Sequence, residues 1–221
     1  MDILEGALPD YLIVIADIVF AVVFLYAVIT APWYKIKDNE SSHVFFGLTI
    51  FTIVIWLVRS SVVNGIHFHL LMTTTLYLMF EWQFALFAVI LVHIGVYVLD
   101  EIPLHLIPAN VLLLAGVPIL FTHYLLLFAR RRLPPNFFVF VFVNCFFAAG
   151  ASMLLIGLIT IGMYFFFANS LVFQQLQNFL PFTLMMSFPE AVMNGIIMSG
   201  MIAYRPGWVA TFHDRFYING K

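Results

Sequence analysis

Long apolar runs broken by short polar interruptions set the pattern of this chain. A helix that crosses a bilayer needs about 20 mostly apolar residues. Tyr11–Pro32 meets that length, with Asp17 as its charge, and Val44–Val63 meets it with Arg59 near its end. Gly65–Phe80 is short for a crossing and predicts a third segment that is re-entrant or broken. Gln83–Leu99 and Ala109–Ala129 follow as ordinary spans. Asn136–Ala168 is too long to stand upright, which predicts tilt or projection past the membrane. Phe179–Tyr204 is the last span, interrupted at Pro189-Glu190. The interruptions read as turns. Trp33–Glu40 combines interfacial aromatics with charge, Glu81-Trp82 is tight and polar, Asp100–Pro108 is a loop, and Arg130–Pro135 is basic and stopped by two prolines. Asn169–Asn178 is a polar connector and Arg205–Lys221 a polar tail. The pattern predicts an all-α, polytopic integral membrane protein of about seven transmembrane helices. Residues 1–221 form one membrane-embedded domain.

Composition agrees and adds direction. The chain is 64% hydrophobic and 9% charged, against about 25% charged in soluble domains. Seven spans put the termini on opposite sides. With the N-terminus outside, Lys35, Lys37, Arg130, Arg131, Arg132, Arg205, Arg215 and Lys221 all face the cytoplasm, as the positive-inside rule demands. The remaining basic residue, Arg59, lies inside a span and calls for an acceptor, either Asp17 or the acidic N-terminal segment of Asp2, Glu5 and Asp10. A single cysteine, Cys145, excludes an intramolecular disulfide and any paired-cysteine metal site. The first residues carry Asp2 and Glu5 in place of a basic leader, so Met1 is expected to remain the first residue. No Gly-rich phosphate loop, no HExxH and no nucleophile–base motif occurs, which argues against a nucleotide site, a metalloprotease and an enzyme. The basic triplet is topogenic and touches anionic lipid headgroups, with no nucleic-acid surface.

Against this apolar background one stretch stands out, Ser60–Thr75. It holds an Asn64-Gly65 break, His67 and His69, and three consecutive threonines. Imidazoles in a membrane segment are functional candidates by default. In a helix, positions i and i+2 point about 200° apart, so one helix cannot present both rings to one ion. In extended backbone they share a side. Hydrogen bonding to a neighbouring helix is the plainer account of either ring. His93 and His123 stand alone in apolar runs and are expected to pack. His43, His105 and His213 sit in or beside loops and are expected to be solvated. Glu190 shares a helix face with Asn194, either as a coordinating group or as a cap on the kink at Pro189. Gly195, Gly200 and the Ala148–Ala151 cluster are expected to be small-residue helix contacts.

The two ends of the chain carry a resemblance. Met1-Asp2-Ile3-Leu4-Glu5-Gly6-Ala7-Leu8-Pro9 resembles the MHI-x-EG-x-LP opening of the cobalt/nickel permeases of the energy-coupling-factor type. Pro108-Ala109-Asn110-Val111 is similar to their GAN-V segment. Phe188-Pro189-Glu190-Ala191, with the run to Tyr204-Arg205-Pro206-Gly207-Trp208, looks like their last helix and exit. The resemblance spans the whole length, and its seven helices with N-out, C-in topology match the charge reading.

What the resemblance implies is a metal site in which the free terminal amine and a second-residue histidine act with a histidine from the segment after helix two. Carried over, that implies Met1, Asp2, His67 and His69, with residues 1–10 folding back to the site and Glu5, Asn64, Asn110 and Glu190 as supporting candidates. This chain departs at residue 2, where Asp2 replaces the family histidine and offers a harder oxygen ligand. The fold therefore carries over better than the ion. The implied function is that of a substrate-binding permease subunit for uptake of a divalent, cobalt- or nickel-like ion. It implies the inner (plasma) membrane, a separate transmembrane coupling subunit and separate ATPases. The alternative is a non-transport membrane subunit that binds haem or copper, or an assembly partner whose metal site is lost.

Overall fold

The computed structural model describes residues 2–3, 5–63, 66–100, 103–167, 179–213 and 217. Among them are six helices long and apolar enough to cross a membrane. They are α1 (Asp10–Thr30), α2 (Asn39–Leu57), α3 (Thr73–Asp100), α4 (Leu104–Arg132), α5 (Phe137–Phe167) and α6 (Phe179–Tyr204). The chain is a multi-pass membrane protein. Local chemistry sets the ends. Pro32 follows α1, and the residue before a proline is steered out of helical backbone. The Asp38 carboxylate accepts from the Ser41 N–H at 3.1 Å to cap α2, and Asn136 caps α5 by accepting from the Phe138 N–H at 3.0 Å. α1 lies at the edge, with Val14, Ile18, Val22, Leu25 and Ile29 exposed for lipid.

Two expectations need correction. Val44–Val63 was expected to stay helical to its end, and Gly65–Phe80 to form the next segment. α2 instead stops at Leu57, and a two-stranded antiparallel hairpin, β1 (Ser60–Val63) and β2 (Ile66–Phe68), follows. Helix resumes only at Thr73. β-Branched Val62, Val63 and Ile66 around a turn-forming Asn-Gly pair favour strand pairing over helix. The second correction concerns Pro189, which sits inside α6 without breaking it. A proline removes one backbone hydrogen bond, and neighbouring helices in a membrane bundle compensate for that.

The expected turn at Glu81-Trp82 is present as a break inside α3, where Glu81 has φ 67° and ψ 175°. It reverses the chain. A straight helix from Thr73 to His93 would rise about 30 Å. Yet the rings of His69 and His93 both pack on Trp56, at 4.1 Å and 4.9 Å between centroids. So Thr73–Phe80 runs down from the hairpin and the longer second part of α3 runs back up.

The bottom of that hairpin of helices meets the basic loops. Lys35 pairs with Glu81 at 2.8 Å. Arg130 donates to the Thr211 carbonyl at 2.6 Å, and the Trp208 indole N–H donates to Glu40 at 2.7 Å. The Ala210 and Thr211 N–H groups donate to the Met79 and Leu78 carbonyls. Lys35, Arg130 and the start of the tail thus share one end of the bundle, and the hairpin occupies the other. α5 and α6 pack through small residues. A Cβ on Gly150 would stand 3.1 Å from the Ser187 carbonyl and 3.2 Å from the Ala191 methyl, and one on Gly157 would collide with Thr183. His123 accepts or donates at 2.8 Å with the Tyr77 hydroxyl, and His43, His105 and His213 are exposed.

Candidate metal centre

Below the hairpin the backbone runs through His69–Met72 before α3 starts, inside the protein. Leu71 is 1% and Met72 0% exposed. Backbone amides there have no water to turn to and must find partners in the chain. Glu190, about halfway along α6, supplies them. Its carboxylate accepts from the Leu71 N–H at 2.7 Å and the Met72 N–H at 3.0 Å. The Asn194 amide donates to the same carboxylate at 2.8 Å. Asn194 in turn accepts from the Thr75 N–H at 3.0 Å and the Thr75 hydroxyl at 2.6 Å. The two α6 residues therefore cap the free N–H groups that begin α3. Met72 has φ 59°, a conformation that a non-glycine residue holds only when its surroundings impose it. The threonines that looked anomalous in the sequence complete the fastening, since the Thr73 hydroxyl donates to the Leu114 carbonyl at 3.0 Å.

Trp56, at the end of α2, holds the other side of the same loop. Its indole N–H donates to the Leu71 carbonyl at 3.2 Å. Its ring lies against His69 at 39° and meets His93 edge-on at 75°. His69 is buried, at 2% exposed. Its Nδ1 faces the Leu70 carbonyl at 3.3 Å, which places the proton on Nδ1 and leaves a lone pair on Nε2. His93 repeats the pattern, with Nδ1 donating to the Val89 carbonyl at 2.9 Å.

The described part of the N-terminal segment packs against this place. The Ile3 N–H donates to the Asn110 side-chain oxygen at 2.7 Å, and Ile3, Ala7 and Leu8 are buried. This hold brings Asp2 Oδ1 to 3.9 Å from His69 Nε2. That is beyond hydrogen-bond range. It is within the reach of two donors on one ion, which at bond lengths of about 2.0–2.2 Å stand at most about 4.4 Å apart. Asp2 Oδ1, His69 Nε2 and His93 Nε2 are all buried and make no hydrogen bond. Each such group costs about 1–3 kcal/mol.

Burial acts to raise the Asp2 carboxyl, but the adjacent amino terminus and the His69 ring outweigh it and hold the group below the usual carboxylate range. Burial, ahead of the opposing pull of Asp2, draws His69 below the ordinary imidazole value of 6.5. A charged carboxylate beside a neutral imidazole is the protonation state that a metal ligand pair requires. Among the described residues, no three His, Cys, Asp or Glu are gathered into a ready-made cluster.

The other expected site residues divide. Asn110 holds the Ile3 N–H, and Glu190 holds the Leu71 and Met72 N–H groups. Glu5 is exposed. Met1 and Asn64 lie outside the described residues, as does the His67 side chain; the His67 backbone sits in β2 opposite Ser61. Sequence reasoning missed Trp56; His93, expected to pack, is buried against its ring. A tryptophan near the end of a span reads as an interfacial anchor, and only the reversal at Glu81 brings His93 to the same ring.

The model of one family, described as the cobalt uptake substrate-specific transmembrane region, matches residues 2–208. The chain belongs to this family. The match takes in the N-terminal strap, the hairpin and every helix, so the expected resemblance holds over the whole membrane body. The family's members are transmembrane components of cobalt uptake, permease parts and not enzymes, and they work with other transporter subunits. No curated protein and no solved structure matches the chain.

Proposed function

We propose that this chain is the substrate-binding permease subunit for uptake of a divalent transition-metal ion across the plasma membrane. The observation that carries the reading is the pair Asp2 Oδ1 and His69 Nε2, 3.9 Å apart, both buried and both without a hydrogen bond. The ion is captured at the outer mouth by Asp2 and His69 together with the Met1 amine. The strap at residues 1–10 acts as a plug, and release follows rocking of the subunit in the membrane. The charge distribution favours seven crossings with the N-terminus outside. A separate coupling subunit and ATPases supply the energy, in keeping with a chain that has no nucleotide motif. Cobalt and nickel are both candidate ions. His67 is a second candidate imidazole from the same hairpin.

The test is elemental analysis of protein purified with a native N-terminus. Cobalt near one per chain is expected, with loss in His69→Ala and in a chain extended before Met1. Unchanged metal content in both variants would overturn the proposal. A haem absorbance band, or bound copper without cobalt, would favour the non-transport alternative.

A further inference from the structure

We infer that Asp17 is an intramembrane docking point on α1, where a transmembrane helix of a separate subunit sets a lysine or arginine against its carboxylate. The inference rests on the reading of this chain as one subunit of a transporter, and it names the surface where another subunit meets it.

α1 is the least buried of the six spans, and Ala27 is its one buried residue. Its outward face is apolar but for Asp17, which is exposed. Val14 and Ala21, a turn to either side on the same stripe, are exposed too, as is Ile18 beside it. Depth makes this unusual. Asp17 lies seven residues inside the start of α1 at Asp10 and thirteen from its end at Thr30, about 10 Å and 20 Å along the axis. In a hydrocarbon core about 30 Å thick, that sets the carboxylate well below the outer headgroups. Lysine and arginine have long stems that reach back to the interface. Aspartate has one methylene and does not.

Ionisable side chains inside a membrane almost always turn to the bundle interior or pair with one another. Asp17 does neither within this chain. It makes no hydrogen bond or ion pair among the described residues. Arg59, the cation expected to meet it, is engaged with another group.

The missing partner therefore has a defined chemistry, a cation held at the same depth by another helix, where little water competes for the charges. The other basic residues among the described ones sit in or beside the loops at the opposite end of the bundle. A second copy of this chain brings no free cation to that depth, so the occupant is a helix of a different subunit.

The experiment uses full-length protein carrying a fluorophore, in phosphatidylcholine vesicles with a dye-labelled leucine-alanine transmembrane peptide. The peptide has one lysine at the depth of Asp17, and a control peptide has leucine there. Energy transfer reads association. The lysine peptide is expected to bind about tenfold more tightly than the control, the scale of one polar contact between membrane helices. Asp17→Leu should remove that difference, and Asp17→Glu should keep it. Equal binding of the two peptides overturns the inference, and so does a lysine preference that survives in Asp17→Leu. If Asp17→Leu does not fold, the two peptides on the unaltered chain still decide. Energy transfer between copies of the chain without peptide, lost in Asp17→Leu, overturns it in favour of a second copy. Cobalt content separates the two readings. Asp17→Leu is expected to hold cobalt as the parent does, and loss there overturns a docking role. A parent chain that binds no cobalt sinks the capture site and leaves the peptide result standing.

Discussion

The two ends of the bundle treat polar groups in opposite ways. At the basic end they are tied to one another: Lys35 to Glu81, Arg130 to the Thr211 carbonyl, Trp208 to Glu40. At the hairpin end the outer layer is fastened just as firmly, through Glu190, Asn194, Asn110 and Trp56, but the groups inside it are left open. Asp2 Oδ1 and His69 Nε2 stand 3.9 Å apart, and neither they nor His93 Nε2 has a hydrogen-bond partner. Rigid backing with free lone pairs in front is what a site for a guest ion requires.

The contrast can be broken from the ligand side first. His69→Ala is expected to weaken cobalt binding by more than about 100-fold, since even outer-shell partners are worth about 10–100-fold; equilibrium dialysis measures it. Next comes the backing. Glu190→Ala strands two buried N–H groups, and at about 1–3 kcal/mol each it should lower stability by about 2–6 kcal/mol. Thermal unfolding in detergent reads this, and Glu190→Gln should recover part of it. Gly157→Leu tests ordinary packing on the same helices, with an expected loss of about 1–3 kcal/mol and no change in cobalt affinity in the folded fraction.

A pH series sharpens the comparison further. His69 is held below 6.5, so cobalt affinity should stay level as pH falls to 6.5 and decline only below it. The sign for stability is the same. Below 6.5 the unfolded chain takes up a proton that buried His69 refuses, so the folded state weakens as pH falls through that range. The smallest effect belongs to the basic end. Lys35 and Glu81 are 38% and 42% exposed, and Lys35→Met should cost about 0–1 kcal/mol and leave the ion site untouched.

Much of this was legible in the chain itself. Length and hydropathy located the spans, and Pro32, Pro134 and Pro135 marked helix ends. The anomaly at His67–Thr75 marked the stretch that lies beside Asp2 and Trp56, and Asn110 and Glu190 stood out among the apolar residues that surround them. Their mechanism did not. Glu190 read as a ligand or as the cap of its own kink, because sequence spacing links it to Asn194 and says nothing of Leu71 and Met72, more than a hundred positions away. The hairpin was hidden because Ser60–Phe68 has the apolar content of a helix and shows its turn only as Asn-Gly. His93 was hidden by the fold-back at Glu81, which no hydropathy window registers.

That fold-back leaves Thr73–Phe80 as a strut of only about two turns. Both of its ends are bolted to the same C-terminal stretch, Glu190 and Asn194 above, Ala210 and Thr211 below. A bar fixed at two points cannot bend to absorb a push. Any subunit that shifts the segment around Thr211 therefore tugs, through about 12 Å of helix, on the loop that carries His69.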